Sequence, residues 1–164
     1  MPGAGPVPGG DPGPDALAQV HQLYGAQSQR IDEGRAAEWA ATFEPGGEFR
    51  SPSYPEPVLG TAALRAFAER FAEADRAAGT RTRHVITNVA VEAAGPDALT
   101  ARGYLQIIST PAEGEPRLLR MTTFTDDLVR TGGRWRVRRR EVRRDDQRTA
   151  PHREAAPDSA EETR

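Results

Sequence analysis

Cysteine is absent from the 164 residues, which excludes a disulfide scaffold, a thiolate metal site and a cysteine nucleophile. Stability must then come from an ordinary core, and a reducing cytoplasm is the compartment that fits. Lysine is absent as well: all 22 basic residues are arginine, a bias that reads as the codon usage of a GC-rich bacterial genome and carries no mechanism. No run approaches the roughly 20 apolar residues of a membrane-spanning helix, and Met1-Pro2-Gly3 opens neither a basic n-region nor an apolar h-region, so export is not expected. A membrane partner is not expected. Aromatic residues make up only 6% of the chain, so Phe43, Phe49, Phe67, Phe71, Phe124 and Trp135 are read as core or pocket wall.

Proline and glycine are unevenly distributed. Residues 1–14 hold five of each, and Gln147 to Arg164 contains no Leu, Ile, Val, Phe, Tyr or Trp. Neither segment offers enough apolar surface to offset its ordering entropy. We expect a disordered leader over 1–14, one domain over 15–146 and a disordered tail over 147–164.

The domain starts with helical periodicity. From Asp15, a candidate N-cap, to Gly34, the residues Leu17, Val20, Leu23, Tyr24 and Ile31 share one side with Gln27 among them. A shorter helix is expected over 36–43, closed by Pro45-Gly46-Gly47, and a third from Thr61 to about Ala78, stopped by Gly79. The period then changes toward two. Turns at Gly95-Pro96-Asp97, Glu113-Gly114-Glu115 and Gly132-Gly133 divide the remainder into strands over 81–93, 99–110, 116–130 and 134–144, an antiparallel meander. Glu48-Phe49-Arg50 adds a short edge strand. Helices first and strands later give an α+β domain, a curved sheet packed on helices.

Two titratable residues carry the chemical interest. Asp32 sits at the C-terminal end of the first helix, where the dipole disfavours an acid; it is either a solvated helix end or a carboxylate directed into a cavity. His84, in Thr82-Arg83-His84-Val85-Ile86-Thr87-Asn88, shares a strand face with Ile86, Asn88 and Ala90. It is either a satisfied structural histidine or a general base fixed by an acceptor on one ring nitrogen. Tyr24, Gln27, Tyr54, Arg102, Tyr104 and Gln106 are polar or amphipathic groups at core-like spacing, consistent with a pocket that has apolar walls and a few polar points. Arginines surround Trp135 over 134–144, but the strand-like alternation and a net charge of −2 argue against nucleic acid. One of them, Arg140, could enter the pocket and stabilise developing negative charge. No phosphate loop, nucleophile elbow or metal-ligand spacing of His21, His84 and His152 occurs, so no nucleotide, flavin or metal cofactor is expected.

Over about residues 16–146 the chain resembles the nuclear transport factor 2-like superfamily, in its SnoaL-like and scytalone dehydratase-like branch. The resemblance rests on Leu23-Tyr24 with Ile31-Asp32-Glu33-Gly34, the segments Trp39 to Phe49 and Gly60 to Leu64, Arg83 to Asn88, Phe124 to Arg130, and Gly133 to Val137. It implies a cone-shaped barrel whose curved antiparallel sheet wraps the N-terminal helices, with pairing through the sheet into homodimers or homotrimers. It also implies that Asp32 and His84, which match the Asp and His of scytalone dehydratase and hexachlorocyclohexane dehydrochlorinase, form a catalytic dyad. Departures are clear. Ile31 replaces the dehydratase's Tyr before its Asp, residues 99–110 contain no second His, and Gln27 stands where the dehydrochlorinase has Lys; Arg140 matches that enzyme's arginine by its distance from the Trp. The expectation is a cofactor-free dehydratase, cyclase or isomerase for a small polyketide-like or aromatic metabolite, with Tyr24, Gln27, Phe49, Tyr54, Asn88, Tyr104, Gln106 and Arg140 around the substrate. The alternative is a binding module of the same fold.

Overall fold

The computed structural model describes residues 9–146; the first eight residues of the expected leader over 1–14, and the whole of the expected tail over 147–164 with His152, lie outside them. Helix α1 (Pro14–Asp32) begins with proline in its first turn and keeps Asp15 there as a favourable charge, so Gly13, and not Asp15, is the N-cap. It buries Val20, Tyr24, Gln27 and Ile31, a four-three-four spacing along one face. Helix α2 (Ala36–Ala40) is shorter than expected. Phe43 has left it to head strand β1 (Phe43–Arg50), so Pro45-Gly46-Gly47 interrupts a strand instead of closing a helix. After β2 (Val58–Leu59), helix α3 (Gly60–Ala78) buries Leu64, Phe67 and Ala68. It stops at Gly79, whose φ of 61° is the left-handed geometry that glycine adopts without strain.

Four strands follow: β3 (Thr80–Gly95), β4 (Ala98–Pro111), β5 (Arg117–Thr131) and β6 (Arg134–Arg144). They form the expected antiparallel meander. The full sheet has the order β2-β1-β6-β5-β4-β3; it is curved and unclosed. β1 runs parallel to β6 and lies inside the sheet, so the edge is β2 and not the 48–50 segment. At the other edge, the end of the expected leader is tied down by backbone hydrogen bonds from Gly9 N–H to Ala93 and from Ala93 N–H to Gly10.

Two irregularities decide which side chains face inward. On β3 the register slips between Thr87 and Ala90 at Asn88, which has φ 53°; asparagine is among the few residues that tolerate this region. Thr82, His84 and Ile86 point to the helices before this bulge, whereas Val89, Val91 and Ala93 do so after it. On β6, Leu128 pairs with Val137 and Asp127 with Arg139, which leaves Arg138 as the extra residue. Trp135 and Val137 are therefore buried on one side of it, and Arg140 and Val142 on the other.

Between these bulges the sheet is held against Phe124 at a position where only glycine fits. A Cβ on Gly103 would lie 2.7–2.8 Å from the Phe124 ring and 3.1 Å from the Thr87 carbonyl. Gly103→Ala is expected to destabilise the fold by about 1–3 kcal/mol, the usual cost of overpacking. Urea denaturation checks this, and an unchanged midpoint would show that the ring moves aside freely.

Candidate active site

Fifty-two positions separate Asp32 from His84 in the chain, yet they touch. Asp32 Oδ1 is 2.7 Å from His84 Nδ1, and both carboxylate oxygens accept the His84 backbone N–H at 3.2 Å. The Arg83 guanidinium lies 4.0 Å away. These donors offset the unfavourable placement of an acid at the end of α1, where the helix carbonyls gather. The Asp32 side chain is 6% exposed, against 13% for His84. It is the imidazole that borders the cavity, with the carboxylate behind it.

That cavity, of about 180 Å³, opens between α1, α3, the 51–54 loop and the inner face of the sheet. Its walls are mostly apolar. Trp39, Phe49, Tyr54 and Phe67 form a cluster with ring centroids 5.0–6.4 Å apart, and Phe71 lies 5.1 Å from the His84 ring. Gln27, Phe49, Tyr54 and Arg140, all expected around a substrate, line it together with His84.

Arg140 enters the cavity wall with its charge already matched. Its Nε and Nη2 donate to the two oxygens of Asp126 at 2.8 and 2.6 Å, and it stacks over Phe124 and Tyr24. The arrangement is a bidentate pair, with Asp126 wholly buried and Arg140 only 5% exposed. It supports the cavity as a balanced unit, which differs from the free cation expected for it. Tyr24 completes the unit by donating its hydroxyl to Asp126 at 2.8 Å. It is 2% exposed and does not line the cavity, which corrects its expected place at the substrate.

Burial, and then the Asp126 charge, push the Tyr24 phenol well above its ordinary range. A group whose folded pKa is raised contributes stability that is complete below its unfolded value and fades as pH rises toward the folded one. We expect one of the three tyrosines to stay un-ionised in alkaline solution until the protein unfolds. Absorbance titration near 295 nm beside circular dichroism checks this, and ionisation of all three in the folded state would contradict it.

The polarity of Gln27 follows from its neighbours. Thr42 Oγ1 donates its only proton to the Trp39 carbonyl at 2.6 Å, so it must accept from Gln27 Nε2, also at 2.6 Å. Among the described residues the amide therefore offers an unpartnered, buried Oε1.

Asn88, Tyr104 and Gln106 lie outside the cavity. Asn88 is the exposed bulge residue of β3. On β4 the set Leu99, Ala101, Gly103 and Leu105 turns inward, so Arg102, Tyr104 and Gln106 face out, Tyr104 with 44% exposure. Asp126 and Arg120 were missed. Both were visible as charges in phase with Thr122, Phe124 and Leu128 on the inner face of β5.

The model of the SnoaL-like domain matches residues 15–141. Among solved structures, the chain is similar to Aln2 from a Streptomyces species, with 32% identity and a TM-score of 0.75 over 82% of this chain and 94% of that one. It is similar to ActVI-ORFA from Streptomyces coelicolor at 32% identity and a TM-score of 0.73, over 81% and 99% of the two chains. In fold alone it matches an NTF2-like protein with a cystatin-like fold from Novosphingobium aromaticivorans, at 21% identity and a TM-score of 0.72 over 82% and 84%. No curated protein matches. A domain match over most of the chain, joined to the curved sheet and the helices it holds, shows that the protein belongs to the SnoaL-like family, and its fold is the nuclear transport factor 2-like one.

Proposed function

We propose that the protein is an acid–base enzyme, a dehydratase, cyclase or isomerase, that converts a small polyketide-like or aromatic metabolite with its own side chains and without a cofactor. The observation that carries this reading is the 2.7 Å contact between Asp32 and His84 at the border of an apolar-walled cavity. With Nδ1–H donated to Asp32, the other ring nitrogen holds a lone pair and can accept a proton. It takes that proton from a carbon beside a carbonyl; the C–H electron pair becomes a carbon–carbon double bond and the carbonyl π pair moves onto the oxygen, giving an enolate. The imidazolium, balanced by the Asp32 carboxylate, then returns the proton. Delivered to a departing β-hydroxyl it completes the loss of water; delivered to carbon it completes an isomerisation; delivered to a new alkoxide it completes ring closure. Membership of the SnoaL-like family supports small-molecule chemistry of this type.

Proton abstraction is tested in deuterium oxide with a panel of hydroxylated 1-tetralones. The expected result is deuterium at the carbon beside the carbonyl, followed by NMR. Ligands that bind tightly but are recovered unlabelled and unchanged would make the protein a binding module.

A further inference from the structure

Two guanidinium groups border the cavity, and they are not equivalent. Arg140 is matched by Asp126. Arg120 donates from Nη1 to Ser53 Oγ at 3.1 Å and forms no ion pair among the described residues. Asp146, a carboxylate that feels its charge through space, is itself paired with Arg144. Among the described residues the cavity therefore carries one unmatched positive charge, half-buried beside the hydroxyl of a loop serine.

The strand register places this charge relative to the base. His84 stands opposite Ile107 on β4, and Ile107 opposite Arg120 on β5. All three line the cavity, so base, apolar spacer and cation form one row across the inner face. Two interstrand spacings put the backbones of the outer members about 10 Å apart. A partly desolvated cation facing an apolar chamber is relieved by a ligand that brings the opposite charge. The planar two-oxygen carboxylate matches the guanidinium fork, and its single charge equals the single unmatched one. A phosphate monoester would bring nearly two.

We infer that the metabolite is a carboxylic acid, held by Arg120 and the Ser53 hydroxyl at one end of the cavity while its reacting carbon meets His84 at the other. The inference rests on the cavity being the substrate site, as proposed above, and adds the ligand's charge and the residue that reads it. Arg120 is thus a specificity residue, distinct from the Asp32–His84 pair.

The test compares 2-naphthylacetic acid with 2-naphthylacetamide, which share a shape and differ in charge. Each is titrated into the full chain at low salt, with the fluorescence of Trp39 in the cavity wall as the signal. The acid should bind at least about 10-fold more tightly, as a charge-assisted hydrogen bond allows. Arg120→Gln should bring the two ligands within twofold of each other, Arg120→Lys should retain part of the preference, and His84→Gln should retain it all. If Arg120 only tethers the loop, its loss weakens acid and amide alike, which overturns the inference. Equal affinities in the unaltered protein, a preference that survives Arg120→Gln, or no binding of the acid at millimolar concentration also overturn it. An acid preference without deuterium exchange would sink the enzymatic reading and leave this one standing; exchange without the preference would do the reverse.

Discussion

His84→Ala is expected to lower the rate of proton abstraction by about 10²-fold or more, the contribution typical of a positioned general base. The imidazole is the titratable group that both borders the cavity and has one nitrogen fixed by a carboxylate, so its removal eliminates the acceptor while leaving the walls. Ligand binding should persist, because Phe49, Tyr54 and Phe67 remain. Asp32→Asn should give a loss of similar order by a different route. The amide can present its NH₂ to Nδ1, which then must accept; the proton moves to the other ring nitrogen, and the lone pair no longer faces the cavity. The charge that balances the imidazolium is also gone. Single-turnover rates for both variants, beside their melting curves, are the measurement. If both folded variants exchange deuterium at the unaltered rate, the dyad has no part in chemistry.

The second large effect concerns stability. Asp126→Ala removes the acceptor of two Arg140 bonds and one Tyr24 bond in a wholly buried position. What remains is a buried guanidinium with no counter-charge, and the expected loss is about 3–5 kcal/mol. The pair in itself need not be stabilising, since two charges had to leave water to form it. The double variant Asp126→Ala/Arg140→Met should therefore recover much of the loss, as strongly coupled neighbours do not add. Urea denaturation of the two single variants and the double one decides the matter. Additive losses would mean that Arg140 contributes through its packing on Phe124 and Tyr24 and not through its charge.

Several parts of this arrangement were legible in the residues. The buried face of α1 follows from the spacing of Val20, Tyr24 and Ile31, and α3 ends where Gly79 makes a left-handed stop cheap. The meander follows from three turns of glycine, proline and acidic residues. The meeting of Asp32 with His84 was accessible only through family resemblance, because no local pattern relates a helix end to a strand fifty-two residues later. The failures have separate physical origins. Strict alternation assigns every second residue to one side, and it places Asn88 in the cavity because it cannot register an extra residue; the φ of 53° at that position resets the count. Tyr104 and Gln106 were misplaced by a different route, since their tips looked suited to a pocket while Leu99, Ala101 and Leu105 had the stronger claim to the interior. Asp126 was overlooked because an acid among inward residues is costly unless paired, and its partner lies on the next strand.

The extra residues Asn88 and Arg138 split their strands into two lengths with opposite phase. One length carries Val89, Val91, Trp135 and Val137 against the core, and the other carries His84, Ile86, Arg140 and Val142 to the chamber. Because each bulge absorbs a slip of one position, the reactive portion can be rewritten without disturbing the phase of the supporting one. The fold is thereby divided into a fixed-geometry chassis and an interchangeable head, which would let relatives with one backbone diverge in chemistry by exchanging residues on a single side of each bulge.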